Sequence, residues 1–323
     1  MRAPAPITRF SHWLGEQVFL VNQPRRLRRI EVHRNRAADP TALLDAVRRM
    51  QLIFTITAGR TGTTYLTRLG ELFPGTVSLH EPDPSYEYFL RQVQRRPALA
   101  RRFWLEYKLP FIAALAAPRY IETSHLFCKG FLDALLELDV RPGMILLRRH
   151  PRPIATSLLT RRTVPGRGRL GRKYLVHPGD PGLLPLPGWQ ALTSYQLCFW
   201  YALEIERRQR LYGERLVALG TPLVDITAEE LHDPARFLAV GERLGLLAAV
   251  ADRDSLLRRH AEVSARGHNI NRTEARVVAD PEAEEREVWR RVEPAAPWLR
   301  EAVARRYAPP AAGMLTPQAV SRP

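Results

Sequence analysis

Four short stretches of the chain carry residues able to do chemistry. The first, LIFTITAGRTGTTYL from position 52, closes an apolar run at Gly59 and then sets Arg60, Thr61, Gly62, Thr63 and Thr64 side by side. Small residues let backbone N–H groups approach an anion, hydroxyls add donors and arginine adds a charge. The second, LLRRHPRPIATSL from position 146, places Arg149 and Ser157 eight residues apart across an expected turn into a helix, with Arg148 and Arg152 nearby. These two stretches can hold anions. The other two, SLHEPDP with Glu81 and ETSHLF with His125, offer groups that can take a proton.

Each stretch lies where a strand should end. QLIFTIT, TVSL, RYIET and GMILLRR read as buried strands, and helical spacing resumes from about Thr63 and again after Pro151. The rest follows the same alternation: a short helix over 41–50, a mostly helical 84–117 broken near Pro97 and Pro110, and a helix in GFLDALLELD. Further helices are expected over 189–212, 227–245, 252–260 and 281–306, with a strand in PLVDIT. Strands alternating with helices predict an α/β fold, a parallel β-sheet flanked by helices as a single domain, with ligands at the carboxyl ends of the strands. The expected organisation is an N-terminal extension over 1–40, one domain over 41–306 with a glycine-, proline- and arginine-rich loop insertion at 163–188, and a disordered tail over 307–323. In the extension, Phe10, Trp13, Leu14 and Val18 have the spacing of a helix docked on its own domain.

The first stretch departs from an ATP-binding P-loop, GxxxxGK followed by Ser or Thr, because Thr63 stands where lysine belongs. GRTGTTYL instead resembles the 5′-phosphosulfate loop of sulfotransferases that use 3′-phosphoadenosine 5′-phosphosulfate (PAPS): a basic residue, any residue, a glycine and two hydroxyl residues. LLRRHPRPIATSL resembles that family's 3′-phosphate motif, and the two occur in the family's order. The similarity spans roughly residues 50 to 245 and implies a P-loop NTPase-like sulfotransferase fold. Arginine at position 60 is similar to the carbohydrate, tyrosylprotein and bacterial branches more than to the cytosolic one. By the resemblance, Arg60 contacts the 5′-phosphosulfate and steadies charge on the leaving phosphate, Thr61, Gly62, Thr63 and Thr64 wrap it, and Arg149 and Ser157 hold the 3′-phosphate. The cytosolic branch packs the adenine with an aromatic residue where AEEL here has Ala228, so the stacking group is not identified.

Sulfuryl transfer to a hydroxyl or amine releases a proton, and a positioned base typically contributes about 10² to 10⁴ in rate. Glu81, 21 residues after Arg60, resembles the glutamate of the tyrosylprotein and some bacterial enzymes; it is the first choice as base. His125 resembles the histidine of the cytosolic branch and is the second. No metal is expected, since arginine and backbone donors can serve the less highly charged sulfuryl group.

With 49 Lys and Arg against 33 Asp and Glu, the formal charge is +16 and anionic partners are expected. Only Lys108, Lys129 and Lys173 are lysines, so the excess is almost entirely arginine. Two other readings stay open: a P-loop ATP-dependent kinase, with Asp225 as the magnesium ligand, and a basic nucleic-acid-binding protein without catalysis, for which the chain carries no recognised motif. The expected acceptor is a glycan or small molecule, its identity not given by the sequence. Arg167, Arg169, Arg172 and Lys173 in the 163–188 loop would favour an anionic or polyhydroxylated one, with Trp189, Trp200 and Tyr201 as lining and SARGHNINRT at 264–273 as a second mobile lid. The longest apolar run, Phe111 to Ala117, falls far short of the roughly 20 residues of a membrane span. VFLV near the N-terminus is too short for a secretory core, so the expected location is cytoplasmic. Cys128 and Cys198 have neither zinc spacing nor the number for a disulfide framework, and read as buried thiols.

Overall fold

The computed structural model describes residues 39–266 and 276–308, together with residues 17, 18, 21, 28 and 30–35. Five strands, β1 (Gln51–Ile56), β2 (Thr76–His80), β3 (Arg119–Thr123), β4 (Gly143–Arg148) and β5 (Leu223–Thr227), form one sheet in the order β2-β3-β1-β4-β5. Every pairing is parallel. The labelled helices are α1 (Pro40–Arg48), α2 (Thr63–Gly70), α3 (Pro151–Thr160), α4 (Gly168–Tyr174), α5 (Ser194–Ala218), α6 (Pro234–Arg243), α7 (Arg253–Ala265), α8 (Pro281–Val292) and α9 (Trp298–Arg306).

The sheet is covered on both faces, as the strand composition requires. Along β1, Leu52, Phe54 and Ile56 face a core shared with α1, α3, α5 and α8, whereas Ile53 faces the core of α2, α6 and α7. In β4, Met144 and Leu146 join the first core, and Ile145 and Leu147 the second. A period of two with apolar residues on both faces belongs to an interior parallel strand. The edge strands β2 and β5 are only partly buried.

Helix boundaries differ from expectation where local chemistry overrides periodicity. The helix expected from 189 begins at Ser194, because Thr193 caps it reciprocally with Gln196, and Trp189–Ala191 is a single 3₁₀ turn. The block expected over 281–306 is two helices, since Pro294 and Pro297 interrupt the backbone hydrogen bonding. The helix expected from 227 starts at Pro234, capped by Asp233. Within 163–188 the chain forms α4, which is not a structureless loop. The expected N-terminal helix, most of the 264–273 segment and the tail beyond residue 308 lie outside the described residues. Tyr307, assigned with the tail, instead packs its ring against His150 and hydrogen-bonds Glu206 at 2.5 Å.

The connections leaving β1 and β4 diverge, one leading to β2 and the other to β5, which opens a crevice between the two strand tips. The long helix α5 braces this point. Gln209 donates to the carbonyls of Ile56 and Leu147 at 2.8 and 3.2 Å, and Tyr201 donates to the carbonyl of Ala58 at 2.9 Å. Arg148, at the tip of β4, is bound by Glu206, Gln209 and Asp225.

Beneath the tips of β2 and β3 lies a fully buried ion pair. Lys108 meets Glu122 at 3.2 Å and also donates to the carbonyl of Pro82, the residue after Glu81; Tyr120 donates to the other Glu122 oxygen at 2.7 Å. Burial lowers the Lys108 ammonium and raises the Glu122 carboxyl, and their mutual attraction opposes both shifts. Removing one partner of such a pair leaves a buried charge. Lys108→Met should therefore cost about 3–5 kcal/mol in denaturant unfolding. Lys108→Met/Glu122→Gln should recover much of the loss; a double variant as unstable as the single one would show that the charges are not coupled.

Candidate active site

The four stretches converge. Arg60 follows β1 and Arg149 follows β4, and because these strands are neighbours the Arg149 guanidinium donates to the carbonyl of Arg60 at 2.7 Å. Arg60 in turn donates from Nε to the Ser157 hydroxyl at 2.9 Å. The expected pair of separated anion sites is thus one contiguous polar cluster. Among the described residues, neither Arg60 nor Arg149 has a carboxylate partner. Burial lowers the Arg60 pKa, and repulsion from Arg161 and Arg149 adds to it. Three neighbouring cations without a carboxylate partner among the described residues make a field that favours an anion.

The loop that carries Arg60 is shaped for close approach. Gly59 (φ 77°), Arg60 (φ 61°) and Gly62 (φ 90°) all have left-handed backbone. At Gly62 a Cβ would fall 2.5 Å from that of Ala228, so only glycine fits there; the AEEL segment does border this loop. The following α2 starts at Thr63, with its first N–H groups lacking intrahelical acceptors. Thr63 lines the adjoining cavity and Thr64 is half-buried in the first turn of α2. The Thr61 hydroxyl is buried and shares a hydrogen bond with the Thr57 hydroxyl at 2.5 Å.

Beside this loop is a cavity of about 420 Å³ lined by Gly59, Arg60, Thr63, His80, Glu81, His125 and Arg161, and by Leu158, Leu170, Tyr174 and Leu175. Glu81 and His125 share it as a hydrogen-bonded pair: Glu81 Oε1 accepts from His125 Nδ1 and, at 3.4 Å, from the His125 backbone N–H. An ionised carboxylate can only accept, so the proton sits on Nδ1 and Nε2 keeps its lone pair in the neutral ring. Nε2 has no partner among the described residues, and the ring retains 17% exposure. Burial would raise the Glu81 carboxyl, but His125, His80 and Lys129 outweigh it and hold the group at about 2. Burial lowers the His125 pKa, against the pull of Glu81. The ring rests on the backbone of Gly59, where a Cβ would lie 3.1 Å away. Arg60 and Glu81 (φ 47°) are both non-glycine residues in the left-handed region, strain that persists only where the surroundings enforce it.

Several expected participants are engaged elsewhere. Arg148 is neutralised by Glu206 and Asp225, and Arg152 forms a two-pronged bond to Glu285 at 2.8 and 2.9 Å. Asp225 is held by Arg148 and Arg306, and lines a different cavity. Arg167 donates to the carbonyl of Leu192 at 2.6 Å, and Lys173 pairs with Glu87 at 2.6 Å. Trp200 and Tyr201 are core residues, and Trp189 packs on His177. Cys128 and Cys198 are buried free thiols.

Sequence reasoning missed Arg161, whose Nη2 is buried without a partner among the described residues. A signal existed: Arg161 is one helical turn beyond Ser157, whereas Arg152 lies on another face. It also missed Lys129, fully buried and lowered by burial to about 7, whose Nζ donates to the carbonyl of Tyr174 at 2.6 Å and so fixes the end of α4. No local pattern announces that contact, which joins residues 45 positions apart.

No protein-family model matches this chain, and no curated protein matches it. Its chemistry must be read from its own side chains. Among the described residues no cluster of three or more His, Cys, Asp or Glu is placed to hold a metal ion, and no helix is long and apolar enough to cross a membrane.

The depressed Glu81 carboxyl has a consequence for acid stability. The unfolded chain takes up this proton near the ordinary 4.5 and the folded chain only near 2, so the stabilisation is complete above about pH 5 and fades as pH falls to about 2. Between those limits the wild type should lose more stability than Glu81→Gln in denaturant titrations. Parallel losses would show that Glu81 is not stabilised as a carboxylate.

Proposed function

We propose that this protein is a PAPS-dependent sulfotransferase, moving a sulfuryl group to a hydroxyl or amine acceptor. The observation that carries the reading is the meeting of Arg60, Arg149 and Ser157 at adjacent strand tips, uncompensated by carboxylates and contiguous with a cavity holding an acid–base pair. The residues suit a nucleotide with phosphate at each end. The Arg60 loop and the first turn of α2 offer backbone donors for the 5′ end, Arg149 and Ser157 offer donors for the 3′-phosphate, and Arg161 brings the unpartnered Nη2. Bound there, the donor would supply an activated sulfuryl group.

The chain's own part is then proton handling and charge stabilisation. The acceptor oxygen or nitrogen forms a bond to sulfur as the bond from sulfur to the bridging phosphate oxygen breaks. Charge would gather on that leaving oxygen, and Arg60 and the loop N–H groups are the donors that would stabilise it. The acceptor's proton passes to His125 Nε2, while Glu81 holds Nδ1–H and stabilises the imidazolium. This reverses the order of preference drawn from sequence. A carboxylate held at about 2 is a weak base at neutral pH, whereas burial keeps the His125 imidazole neutral, with Nε2 unpartnered among the described residues and able to take a proton.

The kinase reading weakens because Asp225 is spent on two arginines away from the cavity. The deciding measurement is a thermal shift. At about one hundred times its dissociation constant, 3′-phosphoadenosine 5′-phosphate without magnesium should stabilise the fold by roughly 2.7 kcal/mol, a rise of several degrees. A shift with ATP and magnesium in its place would favour the kinase. Binding to nucleic acid that collapses steeply with salt, and no nucleotide shift, would favour the non-catalytic alternative.

For the acid–base pair, His125→Asn should lower kcat by about 10² to 10⁴, and Glu81→Gln by less while moving the pH profile. Near-normal turnover of His125→Asn beside an inactive Glu81→Gln would return the base to the carboxylate.

A further inference from the structure

The cavity has two kinds of wall. The loops after the strand tips contribute Arg60, His80, Glu81 and His125, and Arg161 at the end of α3 adds one more charge, whereas α3 and the 163–188 segment also contribute the apolar Leu158, Leu170, Tyr174 and Leu175. Three of these have ordinary burial for apolar side chains, with Leu158 and Leu175 almost fully enclosed. Leu170 does not: it is 43% exposed at the cavity edge, on a short helix with no need of it for the core. Its helix is held in place from behind. Gly171 lies so close to Val164 that a Cβ would strike the Val164 carbonyl oxygen, and Lys129 and Lys173 bind the Tyr174 carbonyl and hydroxyl at 2.6 and 2.7 Å. With its hydroxyl engaged, Tyr174 presents chiefly ring to the cavity. Thr163 is the one uncharged polar side chain that this segment adds to the lining.

A polyhydroxylated acceptor would bring several donors and acceptors against leucines, and each unpaired group would weigh against binding. The arginines and lysine of the segment that suggested an anionic acceptor are bonded elsewhere in the case of Arg167 and Lys173, and none of the four lines the cavity. We propose that the acceptor is an uncharged, largely apolar alcohol or phenol, its body against Leu158, Leu170, Tyr174 and Leu175 and its hydroxyl at His125. This rests on the sulfuryl-transfer reading for the fate of the hydroxyl, but the apolar subsite stands on its own lining.

The test separates the two. Binding of 2-naphthol, followed by its own fluorescence with no nucleotide present, should saturate, and Leu170→Asp should weaken it about tenfold or more, as a lost apolar contact does. Leu170 is exposed, so the variant should fold, and its affinity for 3′-phosphoadenosine 5′-phosphate should match the wild type. In turnover with PAPS, 2-naphthol should outperform N-acetylglucosamine and a chondroitin disaccharide, and Leu170→Asp should raise KM for naphthol with kcat little changed. Faster turnover of either saccharide, no naphthol binding, or naphthol binding indifferent to Leu170→Asp would overturn the proposal. Naphthol binding without any nucleotide binding would leave the subsite and remove the sulfotransferase reading instead.

Discussion

The bond from the Arg149 guanidinium to the carbonyl of Arg60 turns two strand tips into one surface. It exists because β1 and β4 are hydrogen-bonded neighbours whose onward chains run in opposite directions, leaving nothing between them but the ends of two loops. Like charges gather there at a cost. Elsewhere in the described chain many arginines are matched by carboxylates, as Arg148, Arg152, Arg207, Arg208 and Arg291 are. At the crevice that matching stops, and the repulsion between Arg60, Arg149 and Arg161 is a standing preference for an anion.

Holding such a cluster requires a stiff frame. Helix α5 supplies it by reaching both strand ends with Gln209 and the loop with Tyr201, so the backbone cannot relax to separate the charges. On the other side the buried Lys108–Glu122 pair anchors Pro82, and with it the strained backbone of Glu81. The three lysines of this arginine-rich chain all serve the cavity's surroundings: Lys108 below the Glu81 loop, Lys129 and Lys173 on Tyr174. A compact ammonium can sit where a planar guanidinium would not fit, which accounts for lysine at the two fully enclosed positions.

The Glu81–His125 pair depends on the same geometry. Gly59 lets the His125 ring lie on the loop that carries Arg60, and both side chains line the same cavity. Glu81 then fixes the ring through Nδ1. A base and a charge-stabilising site placed side by side suit transfer of an anionic group to a protonated acceptor.

Much of this was legible in the sequence. Apolar runs with β-branched residues marked all five strands, and alternation with helical segments was enough for the α/β class, because burial on both faces leaves no polar period in a central strand. The placement of Arg60, Gly62, Arg149, Glu81 and His125 just past strand ends, and of Ser157 in the helix after β4, followed from local pattern alone. What the sequence could not supply was which ends are adjacent: strand order is set by packing between residues far apart, and from it come the Arg60–Arg149–Ser157 cluster and the pairing of Glu81 with His125, which had stood as rivals. Partner choice was equally hidden. Arginines at 148, 152 and 167 carry the same charge as those at 60 and 161, and only the folded chain decides which meet a carboxylate or carbonyl and which line the cavity, because that depends on three-dimensional proximity and not on position along the chain.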